Sequence, residues 1–144
     1  MHFENKKGQA MQQSLALITL VVRDYDEAIQ FYTKQLGFDL IEDTYQPEQG
    51  KRWVVVKPKG DGSCSILLGQ ASDDRQLDRI GDQTGGRVSL FLQTDDFDRD
   101  YSNYKAKGVE FVRDPKTETY GKVAVFADLY GNLWDLIQFS KTSA

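Results

Sequence analysis

Leu20-Val-Val-Arg-Asp24-Tyr-Asp-Glu27-Ala-Ile-Gln-Phe-Tyr32-Thr-Lys-Gln-Leu-Gly37-Phe38 is the stretch on which the fold turns. It begins inside an apolar run, Leu15 to Val22, whose β-branched content and short length argue for a strand rather than a helix. Asp24-Tyr-Asp-Glu27 resembles a capping box, in which side chains satisfy the free N–H groups of a first helical turn. Ala28, Ile29, Tyr32 and Leu36 then recur on one helical face. Gly37 supplies the left-handed residue that ends such a helix, and Phe38 to Glu42 reads as the next strand.

The chain repeats this pattern. A shift of 71 residues superposes Asp24 on Asp95, Gly37 on Gly108, Leu40 on Phe111, Ile41 on Val112 and Asp43 on Asp114, which indicates a tandem duplication. In the second copy Val88 to Leu92 is the opening strand, Asp95-Asp96 places negative charge at a helix start, and Phe97, Tyr101 and Tyr104 form the apolar helical face. Val109 to Arg113 follows Gly108 as a strand. Each copy closes with two more strands: Arg52 to Lys57 with Ser63 to Gly69, and Lys122 to Ala127 with Asn132 to Phe139. Gly60-Asp61-Gly62 and Tyr130-Gly131-Asn132 mark the turns. The polar stretch Gln70 to Gly86 links the copies and contains a short helical piece around Arg75 to Ile80.

Composition narrows the function classes. With 144 residues, 40% hydrophobic and 12% aromatic, the chain has the size and content of one globular domain. A net charge of −4 and a pI near 5.0 oppose binding to a phosphate backbone, so nucleic acid is not an expected partner. No apolar run is long enough for a bilayer, and Met1 to Gln13 is polar, without a secretory h-region. It reads as a flexible tail. A lone cysteine, Cys64, fits a reducing, cytoplasmic setting.

Residues 20 to 38, together with Phe126-Ala-Asp-Leu-Tyr-Gly-Asn-Leu-Trp-Asp-Leu-Ile137, resemble the opening and closing elements of the glyoxalase / bleomycin-resistance / extradiol dioxygenase (vicinal oxygen chelate) superfamily. The resemblance implies an α+β fold: two tandem βαβββ modules forming a cup-shaped mixed sheet with helices outside. It places a single domain over residues 14–140, with module one at about 14–70, a linker at 71–86 and module two at about 87–140. Homodimers are common among such proteins.

Enzymes of this superfamily hold a divalent metal on inward-facing strand residues, and the resemblance places Leu17, Leu67, Arg87 and Asp135 at those positions. Only Asp135 of the four can ligate, and the chain's single histidine, His2, lies in the tail. The expectation is therefore no metal and no other cofactor, with a divalent metal as the runner-up, including an oxygen-only site of Asp135, Gln70 or Asp128. Asp135 in an apolar strand needs a partner. Arg87 is the expected one, either as a structural ion pair or as a catalytic pair in which Arg87 binds an anion and Asp135 orients it or acts as base.

Thr19 and Ser89 are candidate hydroxyl contacts, and Leu67 lines the cup. The aromatics Tyr45, Trp53, Phe91, Tyr120 and Trp134 are candidates for stacking on a ligand. Core packing is the favoured account of Trp134 and Phe91, and a pocket rim that of Tyr45 and Tyr120. The function expected from these residues is binding of a small organic molecule in the cup between the modules. The alternatives are a metal-dependent lyase, isomerase or dioxygenase with atypical ligands, and a non-catalytic interaction module.

Overall fold

Eight strands build two sheets. In β1 (Leu17–Val22), Leu20 and Val22 are buried while Thr19 is exposed, as the two-residue period of a one-sided sheet requires. β2 (Asp39–Gln46), β3 (Lys51–Lys57) and β4 (Ser65–Gln70) complete the first sheet in the order β1-β4-β3-β2. β5 (Val88–Gln93), β6 (Glu110–Glu118), β7 (Gly121–Ala127) and β8 (Leu133–Phe139) form the second, in the order β5-β8-β7-β6. In both sheets the first strand pairs parallel with the last and the other pairings are antiparallel, so the two modules share one topology. The computed structural model describes residues 10–62 and 64–141. His2, Lys6, Lys7 and most of the expected tail lie outside these residues, as does Ser63.

The helices start and stop as the local chemistry demands. Asp24 caps α1 (Tyr25–Gln30) by accepting from Glu27 N. Glu27 does not complete the box. Its carboxylate takes Arg23 and the Tyr130 hydroxyl, and the Asp24 N–H donates to that same hydroxyl at 3.3 Å. The linker helix α2 (Asp74–Leu77) is capped by Asp73. The cap of α3 (Phe97–Ala106) is Asp96, which accepts from Arg99 N; Asp95 instead pairs with the Arg99 side chain. Gly37 and Gly108 carry φ of +75° and +83°, the conformation expected of helix stops.

The copies differ by one residue. α1 continues as a π-helical turn over Phe31–Gln35, and such a turn is how a helix absorbs an insertion. Equivalent strand and cap positions are therefore 72 apart before the helix (Leu20 with Leu92, Asp24 with Asp96) and 71 apart after it (Gly37 with Gly108).

The helix-facing sides of both sheets share one core, which holds Leu20, Val22, Val54, Val56, Ile66 and Leu68 of module one with Leu92, Phe126, Trp134 and Leu136 of module two. Tyr32 sits at the junction, 5.9 Å from Trp134 between ring centroids. Its hydroxyl donates to Asp128 Oδ2 at 2.5 Å and accepts from Trp134 Nε1 at 3.2 Å. Asp128 is 5% exposed, so its carboxylate needs partners. It also accepts from Tyr130 N, Asn132 N and Asn132 Nδ2. At the outer edge of β1, the linker's Gln83 accepts from Val21 N at 3.3 Å and donates to Arg79 O at 2.6 Å.

Candidate functional site

The faces of the sheets turned away from the shared core carry the candidate residues. Cross-strand neighbours share a face, so in module one the register Thr19–Leu67–Val55–Glu42 forms one row. In module two the corresponding row is Phe91–Asp135–Val125–Arg113. Leu67 and Asp135 are thus structural equivalents.

Over the module-one row lies a hollow of about 490 Å³. Thr19, Val21, Trp53, Leu67 and Gly69 line it, with Gln46, Gln49, Lys51, Gln70 and Gln76 among its polar lining. Arg52 also borders it. Asp26 and Asp43 hold that guanidinium at 2.9 and 2.8 Å, which raises the arginine's affinity for its proton and depresses Asp43 through the hydrogen bond. Of the sequence candidates, Thr19, Trp53 and Leu67 therefore meet in one place.

The remainder do not join them within one chain. Ser89 and Asp135 lie on the sheet of module two, Ser89 with its hydroxyl 3.3 Å from that of Thr84. Tyr45 pairs with Arg52, one step out of phase with Trp53, and is 62% exposed without lining the hollow. Tyr120 lies between β6 and β7 and is exposed.

Two expectations need correction. Arg87 is not on the strand: it sits exposed in the bend after Gly85-Gly86, its carbonyl accepting from Thr84 Oγ1. Ser89 occupies the position equivalent to Leu17. The cation that acts on Asp135 is Arg113, across the sheet on β6; it partly offsets the burial that raises the Asp135 pKa. Phe91 is not core but 67% exposed, whereas Trp134 is 2% exposed, in the core as expected. The 71-residue register equates Phe91 with buried Leu20; the inserted helical residue moves the equivalence to Leu92. The sequence carried that signal in the longer interval from Asp24 to Gly37 than from Asp96 to Gly108.

Nor do the residues suit the superfamily's metal. Leu17, Leu67, Ser89 and Asp135 offer a single charged donor, and among the described residues no three His, Cys, Asp or Glu side chains cluster. Asp128 is committed to its four hydrogen bonds, and Gln70 borders the module-one hollow, so neither joins Asp135.

A larger crevice of about 630 Å³ separates the modules on the other side. Lys59 pairs with Asp39, and Arg99 with Asp95 and Asp100, while Gln93, Asn103 and Lys107 also line it.

Comparison with known proteins agrees with the architecture. An uncharacterised protein of Shewanella frigidimarina (strain NCIMB 400) is 62% identical over 130 residues, covering 90% of this chain and 96% of that one. The crystal structure of TnmS3, an antibiotic binding protein from Streptomyces sp. CB03234, matches with a TM-score of 0.71 and 31% identity, covering 92% of this chain and 100% of that one. UcmS2 matches with a TM-score of 0.76 and 29% identity over 88% of this chain and 98% of that one. With the family model matching residues 14–136, the chain belongs to the Glyoxalase/Bleomycin resistance protein/Dioxygenase superfamily.

Proposed function

We propose that this protein binds a small organic molecule in the hollow over Trp53 and Leu67, and that it does so without a divalent metal. The observation that carries the reading is an indole and a leucine side chain, both only partly buried, flooring a hollow of about 490 Å³ fringed by amides. That size falls within the roughly 300–1,000 Å³ usual for ligand sites, and a mostly apolar lining with a few polar groups is their usual make-up. The likeness to TnmS3, itself an antibiotic binding protein, supports binding over turnover. A metal-dependent lyase, isomerase or dioxygenase would need donors where this chain has Leu17, Leu67 and Ser89.

The proposal extends to a cytoplasmic homodimer. Phe91, Val112 and Ile41 are exposed apolar side chains of a kind that association would cover. A partner placed against the open faces would complete a cup from module one of one protomer and module two of the other.

Thermal-shift screening with aromatic and 2-oxo compounds tests the binding reading, because a ligand specific for the folded state raises its melting temperature. Trp53→Ala and Leu67→Arg are expected to abolish the shift, and Arg87→Ala to leave it. A panel without any stabilising compound would sink the reading, as would retained shifts in both hollow variants. Stoichiometric divalent metal in protein purified without chelator would overturn its metal-free part.

A further inference from the structure

We propose that the module-one hollow is selective by charge: it takes planar, oxygen-bearing molecules that are neutral or anionic and discriminates against cations. This selectivity rests on the binding proposed for the hollow and concerns what that site accepts.

The polar lining of the hollow is unusual in kind. Four of its residues are glutamines, Gln46, Gln49, Gln70 and Gln76, drawn from β2, the turn after it, the end of β4 and the linker helix. No carboxylate lines it, and its charged residues are Lys51 and Arg52. Arg52 is neutralised by Asp26 and Asp43, whereas Lys51 has no ion pair to any described residue. Asp26 and Asp43 together carry one more charge than Arg52, so with Lys51 the four groups balance; the selectivity rests on placement, because the Lys51 ammonium borders the hollow and neither carboxylate does. Glu42 belongs to the same row but lies beyond Val55, accepts from Thr44 Oγ1 at 3.0 Å, and does not border the hollow.

The amides are also available. Gln76 uses its Oε1 to accept from Ser72 N and Ser72 Oγ, which fixes the side chain and leaves its NH₂ donors without a described protein partner. Each amide offers two N–H donors as well as an acceptor. An aromatic floor beneath such a fringe suits a flat molecule with carbonyl or hydroxyl oxygens at its perimeter, its ring on Trp53. An anionic oxygen gains Lys51, while a cationic group meets the ammonium first, the nearby carboxylates of Asp26 and Asp43 standing outside the lining and turned to Arg52. In the proposed dimer the opposing face brings Asp135 and Arg113 together, which adds no net charge.

The test uses the whole chain and three probes on one ring system: naphthoate, naphthamide and naphthylmethylammonium. Of the chain's two tryptophans, Trp134 is 2% exposed, so quenching by a probe reports on Trp53. Naphthoate and naphthamide are expected to quench, with naphthoate bound roughly fivefold or more tighter than the ammonium compound at low salt, the advantage shrinking as salt is added. Lys51→Glu, an exposed change, is expected to reverse the order of the two charged probes, and Trp53→Phe to remove the quenching. Equal or tighter binding of the ammonium compound would overturn charge selectivity while leaving the binding site standing, and so would an order unchanged by Lys51→Glu. Quenching that survives Trp53→Phe, or none from any probe, would remove the site itself.

Discussion

Asp135 shows how one side chain can stand out in sequence and still be misjudged in its company. Burial in a largely apolar strand raises its pKa, and Arg113 offsets only part of the shift. A carboxyl whose folded value exceeds its unfolded value binds its proton more tightly in the native state, so its contribution to stability is fullest below the unfolded value and is lost as pH rises from there through the folded value. Asp135→Asn is expected to stabilise the protein at neutral pH, by about a few tenths of a kcal/mol because the site is partly screened by solvent, and to flatten this arm of the stability profile. Urea titrations over a pH series check this; a destabilised variant would refute it. Arg113→Ala should raise the Asp135 pKa further, read by carboxyl NMR, whereas Arg87→Ala should not move it. Tyr32 carries the opposite kind of burden. Desolvation and the adjacent Asp128 push its pKa well up, so it remains a neutral donor to that carboxylate. Tyr32→Phe is expected to cost about 1–3 kcal/mol by denaturant unfolding, because a buried acceptor loses its partner.

Among the elements, the first helix separates what the sequence disclosed from what it hid. Strand, aspartate cap, amphipathic turn and glycine stop were legible because each rests on local chemistry, and the repeat supplied them twice. Which aspartate caps α3 was not legible, since Asp95 and Asp96 are chemically alike and only the backbone decides. Asp96→Ala is expected to cost about 1 kcal/mol in thermal or denaturant unfolding, and Asp95→Ala to leave stability nearly unchanged. Equal effects would refute the assignment. The π-turn at Phe31–Gln35 depends on the same ambiguity: its extra residue shows only as a longer interval from cap to glycine stop, which is readable once Asp96 and not Asp95 is the cap. Its consequence is a displaced register, in which a 71-residue shift sets exposed Phe91 on buried Leu20. Deleting Thr33 should restore a uniform α-helix with its flanking residues in place, as module two makes the same connection with one residue fewer; retained cooperative unfolding in urea is the expected outcome, and its loss would refute the turn as an absorbed insertion.

At the scale of the molecule, the duplication and the shared core were readable because they follow from periodicity, whereas the convergence of candidate residues was not. Thr19, Trp53 and Leu67 meet because they fall on one face of one sheet; Asp135 and Ser89 belong to the other sheet, and a repeat pattern does not say how two sheets are set against each other. Light scattering is expected to give a dimer mass, and Phe91→Glu to shift it toward monomer; an unshifted monomer would remove the composite cup while leaving the module-one hollow. Saturating ligand, at about a hundred times its Kd, should stabilise the fold by about 2.7 kcal/mol. The outer rim of β1 has a further consequence. A strand with unclaimed amides will accept any passing chain, and growth of that kind need not close on itself. By occupying the Val21 N–H, Gln83 makes the stretch that tethers the two copies also a guard against runaway polymerisation.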